Sequence, residues 1–434
     1  MYSNDWTAIF GLARKRAPGS ASEVEAPPWP QRLHPTVWAL GLTSLLTDVS
    51  SEMVASVLPM YLVLQLGISP VAFGLIDGLY QGLAALVRIL GGVLADRTRR
   101  YKELAGVGYG VSAACRLLVL AAGAAWTTIA GVVAMDRIGK GLRTAPRDAL
   151  LSLRTRSEDL ATAFGVHRAL DAAGAFVGPV VAFLVLARMR GAFDVLFVAS
   201  FVVAFLGVAA LVLFVEPATS AERDDARSQE ITLARAWKSM RRPRLLALCA
   251  CAFLLGLPTI SDSFLFLSLQ ASLQSAATAF PLFYVGTSIS TALFAVPVGR
   301  AADRVGRPAV LLLGYVFLAI AYGVTLAAAT TASAVVCLLF LGAFYAATDG
   351  VLAAMTAAEL PAAARGSGLA ILATIANVAR LLASVSFGAL WSALGMSRAT
   401  WLYLAALCAA IAAAFLVLTW AWQRPELDAG DSAR

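Results

Sequence analysis

Twelve separate runs of about twenty or more mostly apolar residues decide what this chain can become. They fall at about 36–65, 71–95, 103–124, 127–151, 160–187, 192–215, 244–271, 276–299, 307–329, 332–357, 366–394 and 398–422. A bilayer core takes about 20 residues of helix to cross. Inside it every backbone amide and carbonyl must be bonded within the protein, so such runs cross as helices. The expected fold is therefore all-α and integral to the membrane, with twelve transmembrane helices. Composition agrees: 60% of the 434 residues are hydrophobic and 14% charged, against about 25% charged in a soluble domain. Runs 36–65 and 127–151 carry several charges and score poorly by hydropathy, but their length and flanks demand a crossing. Trp38, Trp126, Trp391, Trp401, Trp420 and Trp422 lie near span ends, the depth at which Trp prefers the membrane interface.

Basic residues orient the spans. With both termini inside, inner segments hold 23 of the 34 Lys and Arg, outer loops only Arg188, Arg190 and Arg398. Positive residues stay on the cytoplasmic side, so both termini are expected there. The net charge of +8 is then topology, and nucleic-acid binding is not expected. The expected layout is a cytoplasmic tail 1–35, a six-helix bundle 36–215, a cytoplasmic linker 216–243, a second six-helix bundle 244–422 and a cytoplasmic tail 423–434. No short apolar segment with a cleavage site marks a removable signal peptide.

The two bundles echo each other. Ala72 through Arg97 matches Ala279 through Arg304 at an offset of 207 residues without a gap. Each copy ends a span on Ala-Asp-Arg, at Asp96-Arg97 and at Asp303-Arg304, and follows it with more basic residues. Parallel six-span repeats are a transporter architecture, with the substrate site between the halves near midplane.

Gly92-Val-Leu-Ala-Asp96-Arg97-Thr-Arg-Arg100 resembles the loop 2–3 signature of the major facilitator superfamily, and Gly299–Arg307 its loop 8–9 counterpart. The resemblance covers about 36–422 and departs at Arg99, where Gly is common. It implies the major facilitator fold and a cytoplasmic gating role for Gly92, Asp96, Arg97, Arg100, Asp303, Arg304 and Arg307. Cations also suit helix C-termini and anionic lipid heads.

Ionisable residues inside a span are costly and are functional candidates by default. Eight basic and eight acidic residues fall inside spans, mostly in the first half. On span 4, Asp136, Lys140, Arg143 and Arg147 lie within about 60° of one another at 3.6 residues per turn. That stripe cannot face lipid. Arg137 and Asp148 share a second face, open to pairing with a neighbouring helix. On span 1, Asp48 and Glu52 stand one turn apart. Two close acids in a low dielectric can load and release a proton, with Arg137 or Lys140 as partners. His167 and Asp171 share a stripe on span 5 with Gly174 and Gly178; His is the side chain that ordinarily titrates near neutral pH. Proton coupling is thus expected of Asp48, Glu52, Asp136, Arg137, His167 and Asp171. The substrate cavity is expected to draw on Lys140, Arg143, Asp349, Asn377 and Arg380, with Phe264, Phe266, Phe283, Tyr284, Phe344 and Tyr345 in its wall or in packing.

Two further resemblances bear on mechanism. Arg137-Ile-Gly-Lys140-Gly-Leu-Arg143 is similar to the superfamily's span 4 motif, which implies proton coupling for Arg137; Lys140 stands where Gln is usual. Gly174-Ala-Phe-Val-Gly178-Pro179 resembles the span 5 antiporter motif, without its later Gly pair. The string from Asp136 to Leu150, with Leu46 to Glu52, resembles a widespread bacterial group within the superfamily, which implies a bacterial inner membrane.

No P-loop is present for ATP drive. The five Cys lie in apolar spans and read as small hydrophobes; with two His in the chain, neither a metal site nor a cofactor is expected. The longest soluble segment is too short for a catalytic module, so an enzyme is not expected. The reading is a monomeric proton-coupled exporter of an anionic, zwitterionic or amphipathic drug-like small molecule. Its rival is an importer or facilitator, by proton symport, of a small organic anion on the same fold.

Overall fold

The computed structural model describes residues 33–156, 159–217, 242–273, 277–327, 330–360 and 365–423. Of the expected tails and linker, residues 1–32, 218–241 and 424–434 lie outside the described residues. Among the described residues, twelve helices match the expected crossings: α1 (Pro35–Ala55), α2 (Pro70–Thr98), α3 (Tyr101–Ala121), α4 (Trp126–Leu153), α5 (Leu160–Arg188), α6 (Phe193–Phe214), α7 (Pro243–Gly256), α8 (Pro281–Val305), α9 (Arg307–Ala327), α10 (Thr331–Glu359), α11 (Arg365–Leu394) and α12 (Met396–Gln423). A short turn at Leu58–Met60 and a π-helical turn at Tyr61–Gln65 prolong α1. A second helical piece, Asp262–Leu273, completes the seventh crossing.

Nine of these helices are long and apolar enough to cross a membrane. The three that are not have separate reasons. α1 and α4 carry the charges noted above. The seventh crossing is broken after Gly256, where Pro258 cannot continue a helix. Tyr322 of α9 satisfies the freed backbone: its hydroxyl accepts from the Ile260 amide at 2.6 Å and donates to the Pro258 carbonyl at 3.0 Å.

Helix ends follow local chemistry. The Ser69 side chain caps α2 by accepting from the Ala72 amide, and Pro70 takes the first turn, where its missing N–H is harmless. Thr330 and Ser333 form a reciprocal capping box on α10. α2 stops at Arg99 with φ 54°, a left-handed cap that suits Gly. Its repeat counterpart, Gly306, closes α8 with φ 110°.

Lipid tails are as apolar as Leu, so membrane helices associate through close packing and internal hydrogen bonds rather than hydrophobic drive. Within the first half, α1 packs on α5 and α6, and α4 on α2 and α3; in the second, α10 packs on α8 and α9, and α12 on α7 and α9. The halves meet along α2 with α11 and along α5 with α8. The α2–α11 seam is tight because Gly faces Gly: a Cβ on Gly74 would lie 3.0 Å from the Gly388 Cα. The large apolar core spans both halves, while a smaller one (Val37, Leu40, Tyr101, Leu150 and Leu211 among its members) stays within the first half.

Candidate functional site

A cavity of about 540 Å³ lies between the halves. Its wall combines Tyr80, Gln81 and Arg88 of α2, Arg137, Lys140 and Thr144 of α4, and Thr374 and Asn377 of α11. It runs along α2 from Tyr80 to Gly92 and Asp96, so it opens at the end bearing the Ala-Asp-Arg loops, the basic end. An adjoining chamber of about 480 Å³ shares Arg88 and Asn377 and adds Arg168, Tyr315, Asp349 and Arg380. The opposite end is shut by packed rings. Phe264, from the second piece of the seventh crossing, sits 4.9 Å from Phe73, 4.8 Å from Phe387 and 5.8 Å from Trp391, centroid to centroid.

Two glycines place Lys140 on the wall. A Cβ on Gly139 would lie 2.8 Å from the Gly108 carbonyl of α3, and one on Gly141 would lie 2.6 Å from the Ala84 carbonyl of α2. Bare backbone at both positions lets α4 wedge between its neighbours with the lysine between the two contacts. Among the described side chains no hydrogen bond or salt bridge reaches the Lys140 or the Glu52 head group, and these two act on each other electrostatically.

Behind the wall the charges are engaged. Asp136 pairs with Arg116 of α3 at 3.2 Å and with its neighbour Arg137. Arg116 also donates to Ser51 at 2.9 Å, and the Arg137 guanidinium lies 3.9 Å over the Tyr80 ring. Arg143 reaches Asp48 at 3.9 Å and stacks at 4.5 Å on Tyr109; its Nη1 is buried with no hydrogen-bond partner among the described residues. Arg147 bonds Asp148 at 2.9 Å, approaches Asp171 at 3.9 Å and donates to Ser44 at 3.0 Å. His167 lies 3.6 Å from Asp171 and 3.4 Å from Ser44. One continuous polar layer thus joins α1, α3, α4 and α5.

The structure sorts the expected residues. Lys140 and Asn377 line the main cavity, and Asp349, Arg380 and Asn377 the adjoining one. Arg380 sits 3.7 Å from Asp349. Arg143 is buried behind the wall and meets Asp48, while Arg137 and Lys140 act electrostatically on Glu52. Asp148 pairs across to α2, at 3.1 Å from Arg88. Gly174 and Gly178 bring α5 against α1 directly behind the acids: added Cβ atoms would lie 3.0 Å from the Asp48 Cβ and 2.8 Å from the Glu52 Cβ. Pro179 lies within α5. At the basic end Gly92 and Asp96 line the cavity mouth, while Arg97 and Arg304 are exposed. Arg100 lies 3.8 Å from Glu103, and Arg307 3.6 Å from Asp303. Phe264, Phe266, Phe283 and Phe344 are buried in the core, with Tyr284 and Tyr345 packed against it. Sequence reasoning did not assign a site to Tyr80, Gln81 or Ser261; their roles come from neighbours far along the chain.

Three comparisons bear on this arrangement. The model of the Major Facilitator Superfamily matches residues 40–287 and 255–434. An MFS-type transporter of Methanocaldococcus jannaschii is 30% identical over 371 residues, spanning 83% of this chain and 89% of its own. A protein of Mycobacterium tuberculosis is 35% identical over 143 residues, a third of either chain. Among solved structures, the nucleoside transporter NupG superposes with a TM-score of 0.74 at 15% identity, over 90% of this chain and all of that one. A POT family transporter in complex with 5-aminolevulinic acid gives 0.72 at 13% identity, over 89% of this chain and 96% of that one. At such identities the likeness is one of fold.

Proposed function

Because the chain belongs to the Major Facilitator Superfamily, and is thus a membrane transporter rather than an enzyme, we propose that it is a proton-coupled exporter of a small zwitterionic solute. The observation that carries this reading is the Lys140 ammonium, on the cavity wall with no described salt-bridge partner and within electrostatic reach of Glu52. Every other cation of the α4 stripe is already held by a carboxylate. A cation left over in a low-dielectric cavity is an anchor for a carboxylate or phosphate.

The acids Asp48 and Glu52 stand behind that anchor, Asp48 held by Arg143. In this reading the anionic end of the solute sits on Lys140 and its cationic end on Glu52; a proton arriving at Glu52 takes the place of the cationic end and weakens binding, and a proton leaving restores it. Solute and proton occupancy are thereby linked through one side chain. His167 and Asp171 extend the polar layer toward the basic end, which in this reading faces the cytoplasm of a bacterial inner membrane. Gly174 and Gly178 hold α5 against the acid-bearing face of α1, as the antiporter resemblance implies. In this reading the transporter acts as a monomer. With the opposite end shut, this reading takes the cavity as the cytoplasm-open member of an alternating-access pair.

The test is ligand-induced thermal stabilisation of the purified protein against a panel of organic anions and zwitterions. The wild type is stabilised by at least one compound. Lys140→Gln loses about tenfold or more in apparent affinity, since a hydrogen bond to a charged group contributes about 1.5–3 kcal/mol. A hit that binds Lys140→Gln as it binds the wild type contradicts the reading.

A further inference from the structure

The closed end of the seam holds a carboxylate that the network of the first half does not touch. Asp77 of α2 is 5% exposed and is bonded entirely by the other half. Ser261, at the break in the seventh crossing, donates to Oδ1 at 3.0 Å, and Ser384 of α11 donates to Oδ2 at 2.7 Å. Gln81, one turn further along α2, donates to the Ser261 hydroxyl at 3.2 Å, as does the Ser263 amide at 3.4 Å.

All these donors are neutral. Among the described residues no Lys, Arg or His forms a salt bridge with Asp77. Among the described residues, an acid and a phenol share its electrostatics: Asp262, bonded by Tyr345 at 2.8 Å, and Tyr284 of α8. Arg380 acts on Asp262 and is paired with Asp349. The helix piece Asp262–Leu273 turns its positive end this way, but its first residue is itself an acid. A buried carboxylate without a base is tolerated when a cation neutralises it.

We propose that Asp77, Ser261 and Ser384 form a binding site for one monovalent cation, a proton or a sodium ion, assembled only while the two halves are closed at this end. The ligands are hard oxygens, and they come from both halves. When the halves part, Ser261 and Ser384 leave, Asp77 meets water, and its carboxylate no longer requires the cation. Occupancy and closure are linked reciprocally: whatever closure does to cation affinity, the cation does to closure. The site lies outside the Asp48–Glu52 layer and stands whether or not that layer couples transport.

The test needs no solute. Spin labels at Val71→Cys and Arg398→Cys, both exposed on this end, report the gap by electron–electron distance measurement in lipid nanodiscs, with exposed Cys408 replaced by Ser. One arm lowers pH without sodium; the other adds sodium at fixed pH. The short-distance population rises in the first arm for a proton site and in the second for a sodium site. Asp77→Asn is flat in both arms and held at the short distance, while Asp262→Asn and Glu52→Gln keep the response. Ser261→Ala with Ser384→Ala lowers the closed-to-open ratio at saturating cation about tenfold, the effect of two lost hydrogen bonds. A wild type flat in both arms, or a response that survives Asp77→Asn, overturns the proposal. Should Asp77→Asn not fold, an unchanged ratio in the double serine variant overturns it.

Discussion

Asp136 holds two guanidiniums at once, Arg116 from α3 and its own neighbour Arg137, all three nearly inaccessible to water. Removing the shared anion leaves two buried cations face to face. Breaking a buried pair costs about 3–5 kcal/mol, so Asp136→Asn should lower the thermal stability of the purified protein sharply; an unchanged melting temperature would show that the triad carries no such strain. Arg99 invites the opposite change. It holds φ at 54° where its repeat partner is Gly306, and a left-handed non-glycine residue costs about 1–2 kcal/mol. Arg99→Gly should therefore raise stability, and Arg99→Val should lower it, in the same assay. The stripe on α4 was legible from spacing alone, because helical periodicity needs no knowledge of neighbours. Which acid meets which base is not: Arg143, stacked on the Tyr109 ring of α3, is the base that meets Asp48, and spacing along α4 does not single it out.

At the level of elements, close approach depends on glycines whose absent side chains make room. A Cβ on Gly178 would lie 2.7 Å from the Val49 carbonyl of α1, whereas one on Gly165, on the same helix, meets nothing within 4 Å. Gly178→Val should push α5 away from α1 and reduce the yield of folded protein, while Gly165→Ala should leave it unchanged; size-exclusion profiles from matched membranes decide. Tyr322→Phe should destabilise by about 1–3 kcal/mol, because the Ile260 amide and Pro258 carbonyl lose their shared partner. The crossings were readable from length, and even charged α1 and α4 declared themselves by their flanks. The break in the seventh crossing is not legible: length marks 244–271 as one span although Pro258 interrupts it, and the hydroxyl that repairs it comes from α9.

Across the whole molecule, the two halves touch along α2–α11 and α5–α8, leave a cation-lined cavity at the basic end, and close over aromatic rings at the other. The repeat announced two halves, but a repeat is silent on which faces meet. Asp77 shows the difference: its sequence context is an ordinary apolar span, and its partners are 184 and 307 residues away. Under the proposed function, proton and solute compete through Lys140 and Glu52. The most direct measurement is solute-driven proton release from inside-out membrane vesicles, followed with a fluorescent pH probe, using a compound that stabilises the purified protein. The compound should collapse part of the imposed gradient in wild-type vesicles and do nothing in Glu52→Gln vesicles, although that variant still binds it. Wild-type coupling in Glu52→Gln, or a wild type that binds the compound and never moves protons, would contradict it.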